Sequence, residues 1–191
     1  DVHGCCDELE MLLQKLGYVK SEGIYAHPEG RKAAFLGDFC DRGEKNADVL
    51  RLVMDMVKAG SAIAVPGNHD VKLLKYLKGK DIARTHGIDK TIAELEEKGE
   101  AFRKEVAAFL EGLISHYVLD GGRLVIAHAG LKEKYIGRGS ARVREFCLYG
   151  ETTGETDSFG LPVRLDWAAD YRGRATVVYG HIAAREVRVQ N

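Results

Sequence analysis

No run of eighteen apolar residues and no low-complexity tract occurs in the 191-residue sequence, which excludes a transmembrane helix, a coiled coil and a disordered tail. An excess of either charge is lacking too. Lys and Arg number 28 against 29 Asp and Glu, a formal net charge of −1, so no chain-wide basic surface grips duplex nucleic acid nonspecifically and any such contact must be local. The four cysteines, Cys5, Cys6, Cys40 and Cys147, contain no CxxC pair, and a disulfide framework is not expected at this chain length. That points to a reducing, cytoplasmic location. No internal repeat is found. With 45% apolar and 30% charged residues the chain can bury a core, and one domain spanning residues 1–191 is expected. Because a strand is expected before Asp1, the domain is expected to be truncated at both ends and to belong to a larger multidomain protein.

Hydrophobic spacing supplies the elements. Leu9, Leu12, Leu13 and Leu16 predict a helix over 7–16, with Asp7 as N-cap and Gly17 after its end. Ala33 to Leu36 reads as a strand, Val49 to Val57 as one face of a helix, and Ala62 to Val65 as a second strand. Leu73, Leu74 and Leu77 predict another helix, its opposite face carrying Lys72, Lys75 and Lys78 into solvent. From Thr91, a Thr-x-x-Glu capping box opens a helical stripe that runs to about 114. Leu124 to Ala127 and Ala175 to Tyr179 are further buried strands, and the Gly-, Arg- and Glu-rich stretch 130–174 reads as long functional loops or an inserted cap. Alternating strands and helices in the first half predict an α/β layered fold.

Each short apolar run is followed by a residue that can bind metal: Asp38 after the first, Asn68 after the second, His128 after the third and His181 after the fourth. In open α/β sheets the carboxyl ends of strands line the ligand crevice, so side chains just beyond them converge from distant parts of the sequence. Asp1 and His3, two apart, fit the same crevice if an extended segment feeds them in. Carboxylate, imidazole and amide donors together favour a divalent transition metal over Ca²⁺. Six ligands exceed what one open catalytic ion needs. Two ions about 3.5–4 Å apart, bridged by one carboxylate, use them economically, and Asp38 is the expected bridge.

The segments Asp1-Val2-His3-Gly4, Gly37-Asp38-Phe39-Cys40-Asp41-Arg42-Gly43, Gly67-Asn68-His69-Asp70, His128-Ala129-Gly130 and Gly180-His181 together resemble the calcineurin-like binuclear metallophosphoesterases. The resemblance implies a two-sheet β-sandwich flanked by helices, classed as α/β, or α+β by some schemes. Asp1, His3 and Asp38 would hold one ion; Asp38, Asn68, His128 and His181 would hold the other, with Mn²⁺ expected and Fe, Zn or Ni as alternatives. His69 would be the general acid that protonates the leaving oxygen while a hydroxide bridging the two ions attacks phosphorus in line. Asp41 would orient His69, although it could instead pair with Arg42 or close an Asx-turn. Arg42 would offer its planar fork to phosphate oxygens.

Three further stretches, Thr85-His86-Gly87, Ser115 to Arg123 and Leu148 to Thr156, are similar to the central phosphatase domain of bacterial polynucleotide kinase-phosphatase. That resemblance implies removal of a 3′-phosphate or 2′,3′-cyclic phosphate from RNA ends in RNA repair. It also implies kinase and ligase (nucleotidyltransferase) domains in the same protein, an RNA-repair methyltransferase partner, and no membrane. Residues 123–146 carry Arg123, Lys132, Lys134, Arg138, Arg142 and Arg144 against Glu133 and Glu145, a local basic patch that could receive an RNA end. Rival enzyme readings are a symmetrical dinucleoside tetraphosphatase and a serine/threonine protein phosphatase, which usually carries Glu where Asp70 stands. The rival outside enzymology is an inactive RNA-binding scaffold. His86 and His116 lie outside the strand-end pattern and read as structural, and Cys5 and Cys40 as packing residues.

Overall fold

The computed structural model describes residues 1–158, 160, 162–184 and 186–190. The chain is mixed α/β, with helices and several small sheets, and it divides into two compact units, Asp1–Leu113 and Ile114–Asn191.

In the first unit α1 (Cys6–Lys15) buries Cys6, Leu9 and Leu13, while Leu12 and Leu16 face solvent. Asp7 sits inside its first turn rather than at the cap, and the N-cap residue is Cys5, which is itself exposed. Gly17, at φ 88°, ends the helix as expected, its N–H donating to the Gln14 carbonyl at 2.9 Å. β1 (Val19–Ser21) and β2 (Ile24–Ala26) form an antiparallel hairpin, and β3 (Ala33–Phe35) pairs in parallel with β4 (Ala62–Ala64). The crossover between β3 and β4 is α2 (Asn46–Lys58), which buries Val49, Leu50, Leu52, Val53, Met54 and Met56. Burying each such side chain contributes about 1.5–3 kcal/mol, enough to hold a helix whose N-cap, Lys45, forms no side-chain cap bond.

Three helices complete this unit: α3 (Asn68–Leu77), α4 (Ile88–Glu97) and α5 (Glu100–Gly112). The single stripe expected over 91–114 is two helices because Gly99, at φ 89° and ψ 175°, breaks it. Nor is Thr91 a cap, since it lies one turn inside α4. Its sequence partner Glu94 caps a different helix, accepting Ala47 N–H at 2.9 Å and Asn46 Nδ2–H at 2.7 Å at the start of α2.

The second unit holds a three-stranded sheet in the order β5 (His116–Leu119), β6 (Leu124–Ala127), β9 (Thr176–Val178), with β5 antiparallel and β9 parallel to β6. The stretch read as loops contains α6 (Ala141–Tyr149), capped by Ser140, and an antiparallel pair, β7 (Glu151–Thr156) and β8 (Pro162–Leu165). Val125, Ala127, Leu131, Phe146 and Trp167 centre its core. Gly130 is required there: a Cβ would lie 1.9 Å from the Trp167 ring, whose Nε1–H donates to the Ala129 carbonyl at 3.1 Å. Both parallel pairs, β3–β4 and β6–β9, send their carboxyl ends in a common direction within their own unit. That is why the residues after them gather.

Candidate active site

Asp38 follows β3 on a loop with an unusual backbone. Asp38, Asp41 and Arg42 adopt φ of 51°, 70° and 67°, the left-handed region that costs a non-glycine residue about 1 kcal/mol or more. Asp70, on the first turn of α3, holds this loop. Its fully buried carboxylate accepts the backbone N–H groups of Asp38 (2.7 Å), Phe39 (2.9 Å) and Gly67 (2.8 Å). Burial and the neighbouring Asp38 carboxylate push its pKa up to about 8, against the pull of those three donors. Asp38 in turn accepts His69 N–H through Oδ1 at 3.0 Å, completing a two-way tie between the loop and the start of α3. The contact leaves no room for a side chain at residue 67, since a Cβ on Gly67 would lie 2.0 Å from Asp38 Oδ1.

His3 reaches the same place by a different route. Val2 and His3 both donate backbone N–H to the Asp38 carbonyl, at 3.0 and 2.8 Å, and Gly4 donates to Phe39. The His3 ring lies 2.9 Å from the Cys40 carbonyl through Nδ1; a carbonyl only accepts, so Nδ1 carries the proton. Its Nε2 is buried, has no hydrogen-bond partner among the described residues, and stands 3.6 Å from Asp38 Oδ2. Burial lowers the His3 pKa, keeping the ring neutral. A buried imidazole nitrogen with its lone pair directed beside a carboxylate is what a divalent metal ligand requires. The residues therefore fit the group that the motifs imply.

His69 follows Asn68 at the start of α3 and is buried at 4% exposure. Its Nδ1 lies 2.6 Å from Asp41 Oδ2, and among the described residues Asp41 forms no ion pair with Arg42. The other oxygen of Asp41 accepts the Thr91 hydroxyl at 2.7 Å, and that hydroxyl accepts Asp41 N–H at 3.1 Å. Ligand atoms of His3, Asp38 and His69 all lie within 4.8 Å of one another, so the three side chains share one small space. Arg42 is exposed and its guanidinium forms no ion pair among the described residues, leaving the fork available to an anion. The His86 ring stands 5.9 Å from His69, on a loop tied by Lys72 Nζ donating to the Thr85 carbonyl and hydroxyl. Lys72 is thus engaged rather than simply solvated.

In the second unit His128, fully buried, follows β6, and its Nε2 is 2.9 Å from His181 Nδ1. Gly180 N–H donates to the His128 carbonyl at 2.8 Å, and His181 takes φ 69°. Asp1 is exposed and Asn68 half-buried. The basic patch is less free than its composition suggests. Arg123 is paired with Asp120 at 2.5 Å and Lys132 with Glu151 at 2.5 Å. Sequence reasoning missed Asp70 and Thr91 as positioning residues. Asp70 was visible in the Gly67–Asp70 motif, whereas nothing near Thr91 in the sequence ties it to Asp41.

A family model described as calcineurin-like phosphoesterase matches residues 1–185. The chain is 45% identical to the asymmetrical bis(5′-nucleosyl)-tetraphosphatase PrpE of Bacillus subtilis, with the whole chain covering 80% of that relative. It is 47% identical to the protein of the same name from Halalkalibacterium halodurans, over 99% of this chain and 78% of the relative. A solved structure, provisionally assigned as a diadenosine tetraphosphatase, matches with a TM-score of 0.64 at 27% identity, over 100% of this chain and 76% of that one. These relatives correct the narrower resemblance. They are tetraphosphatases and not polynucleotide kinase-phosphatases, and their names specify asymmetrical cleavage where a symmetrical rival was expected. The phosphoesterase match takes up residues 1–185, so neither kinase nor nucleotidyltransferase sequence lies within this chain, and the RNA-repair partners lose their support. No helix among the described residues is long and apolar enough to cross a membrane.

Proposed function

The chain belongs to the calcineurin-like phosphoesterase family, hydrolases of phosphoric esters that bind divalent metal, and we propose that it hydrolyses dinucleoside tetraphosphates asymmetrically. Such cleavage breaks one P–O bond off the centre of the four-phosphate bridge, adds water, and releases a nucleoside monophosphate and a triphosphate. The relatives that span the chain at 45–47% identity support the substrate class. The single observation that carries the chemistry is the neutral His3 with its buried, unpartnered Nε2 beside Asp38 and the Asp41-bound His69.

The proposal takes from the motifs the ligand set Asp1, His3, Asp38, Asn68, His128 and His181, with Mn²⁺ as the expected metal. Bound divalent ions would neutralise phosphate charge and supply an ionised water as nucleophile. The chain's own residues do the rest. Arg42 receives non-bridging phosphate oxygens and balances charge that develops in the transition state. His69, its Nδ1–H held by Asp41, carries a proton on Nε2 and gives it to the departing oxygen. Thr91 keeps Asp41 facing His69, so the proton is held at one place without rotation of the pair.

A substrate panel tests this reading: diadenosine tetraphosphate, an RNA ending in a 2′,3′-cyclic phosphate, and a phosphoserine peptide, each with Mn²⁺ and with chelator. Turnover of the dinucleotide that chelator abolishes is expected. Turnover of the RNA end or of the peptide in preference to the dinucleotide would move the substrate assignment to RNA repair or to protein dephosphorylation.

A further inference from the structure

The second unit contains a cavity of about 390 Å³ between α6 and the β7–β8 pair that no part of the reaction above uses. Its wall is aromatic and charged: Tyr135, Phe146 and Tyr149 stand with Arg142 and Arg164, and two carboxylates, Glu145 and the Lys132-paired Glu151, line the same space. Phe146 is buried and packs edge-on against Tyr135 at 5.6 Å between ring centroids, so these two rings form a fixed floor. Tyr149 is 39% exposed at the rim of the cavity. Arg164 Nη1 donates to the Tyr149 carbonyl at 2.6 Å, which holds the guanidinium against that aromatic residue. Among the described residues neither Arg142 nor Arg164 has a carboxylate partner, although Lys132 and Arg123 nearby in sequence are both neutralised. The cavity therefore combines flat apolar surface with two arginines that form no ion pair among the described residues.

We propose that this cavity is a nucleoside-phosphate subsite, in which a nucleobase stacks on Tyr149 and Tyr135 while Arg142 and Arg164 face phosphate oxygens. A cavity of this volume falls in the range of small-molecule sites. Base–aromatic stacking tolerates any base, and guanidinium groups suit phosphate in pairs. The Glu145 carboxylate is placed to accept from ribose hydroxyls or an exocyclic amine, donors that a nucleotide has and inorganic phosphate lacks. The cavity also has a physical link to the catalytic side of its own unit. α6 is joined to the residue after His128 by Ala129 N–H donating to the Cys147 carbonyl at 2.7 Å. The subsite is thereby built on the helix that buttresses His128. The identity of the ligand as part of a dinucleoside polyphosphate rests on the function proposed above.

The test is AMP binding by titration calorimetry to the full chain without metal, where no turnover occurs, with adenosine and inorganic phosphate as comparison probes. AMP binding that weakens about 5- to 100-fold in Tyr149→Ala and in Arg164→Gln, and is retained in Tyr149→Phe, is expected from the stacking contribution. Thermal unfolding checks that each variant folds, and Arg142→Gln replaces any that does not. Failure of wild type to bind AMP overturns the subsite. So does unchanged affinity in the cavity variants, or affinity lost in Arg42→Ala alone, which would put the nucleotide at the catalytic loop. If AMP binds as expected but diadenosine tetraphosphate is not hydrolysed, the subsite stands and the proposed substrate fails.

Discussion

In residues 1–113 Asp38, Asp41 and His69 are each held by a side chain or backbone group of their own unit, whereas in residues 114–191 the candidate histidines His128 and His181 stand ring against ring. Asp38 is held by Asp70 and by the start of α3, His69 by Asp41, and Asp41 by Thr91. His128 and His181 lie 2.9 Å apart, with one backbone bond from Gly180 to the His128 carbonyl. The cores differ to match: among the described residues the first unit's core cluster packs more than twenty buried apolar residues, and the second unit's cluster nine. The contrast teaches that in the first unit stability and the proposed catalytic geometry share the same hydrogen bonds. A change there should be felt in both. In the second unit binding can change with less effect on folding.

The largest expected effect is on turnover. His69→Ala should lower kcat by about 10²–10⁴-fold, towards the lower end for a phosphate leaving group, which needs less help from an acid than an alkoxide does, and should also lower the melting temperature, because the buried Asp41 carboxylate loses its imidazole partner. Steady-state kinetics beside a thermal melt checks both halves. Asp70→Ala should act on both properties, because it strands three buried N–H donors. With each unsatisfied group costing about 1–3 kcal/mol, a loss of about 3–5 kcal/mol and a melting point lower by about 10 °C are expected. A variant that loses activity without losing stability would break the coupling proposed for this unit. Thr91→Val should reduce kcat by about tenfold and alter the pH profile while KM stays near its starting value, because Asp41 loses its hydroxyl partner.

Unit two makes a different prediction about pH. Burial lowers the pKa of His116, and Gly137 N–H donates to its Nε2 at 3.1 Å, a bond that needs the neutral ring. A histidine with a depressed folded pKa contributes stability above its unfolded value near 6.5, and that stability is lost as pH falls through the folded value. Melting temperature should accordingly drop between pH 7 and pH 5, and His116→Gln should flatten that slope without abolishing turnover. The smallest effect is expected for Glu94→Ala, about 1 kcal/mol from the lost cap on α2, read as a shift in denaturant midpoint.

The ligand candidates were legible because their signal is local: a metal-competent side chain immediately after a short apolar run, repeated along the chain. Asp41 and His69 were legible from motif likeness, and their 2.6 Å contact is as expected. Thr91 and Glu94 were misread because Thr-x-x-Glu is a capping pattern only where a helix begins, and here the helix begins at Ile88. Their partners, Asp41 and the start of α2, lie about fifty residues away, out of reach of any local pattern. The hairpin β1–β2 escaped notice since the burial of its strands does not alternate, and α6 because its apolar residues Val143, Phe146, Cys147 and Leu148 sit among charges. The narrower likeness to an RNA-repair phosphatase drew on motifs that tetraphosphatases share, so those motifs fixed the chemistry and left the substrate open.

The most direct measurement is chromatographic identification of the products that wild type and His69→Ala release from diadenosine tetraphosphate in Mn²⁺. The account predicts AMP and ATP in equal amounts, formed by wild type and nearly absent with the variant. Two molecules of ADP, or cleavage that His69→Ala leaves untouched, would contradict it.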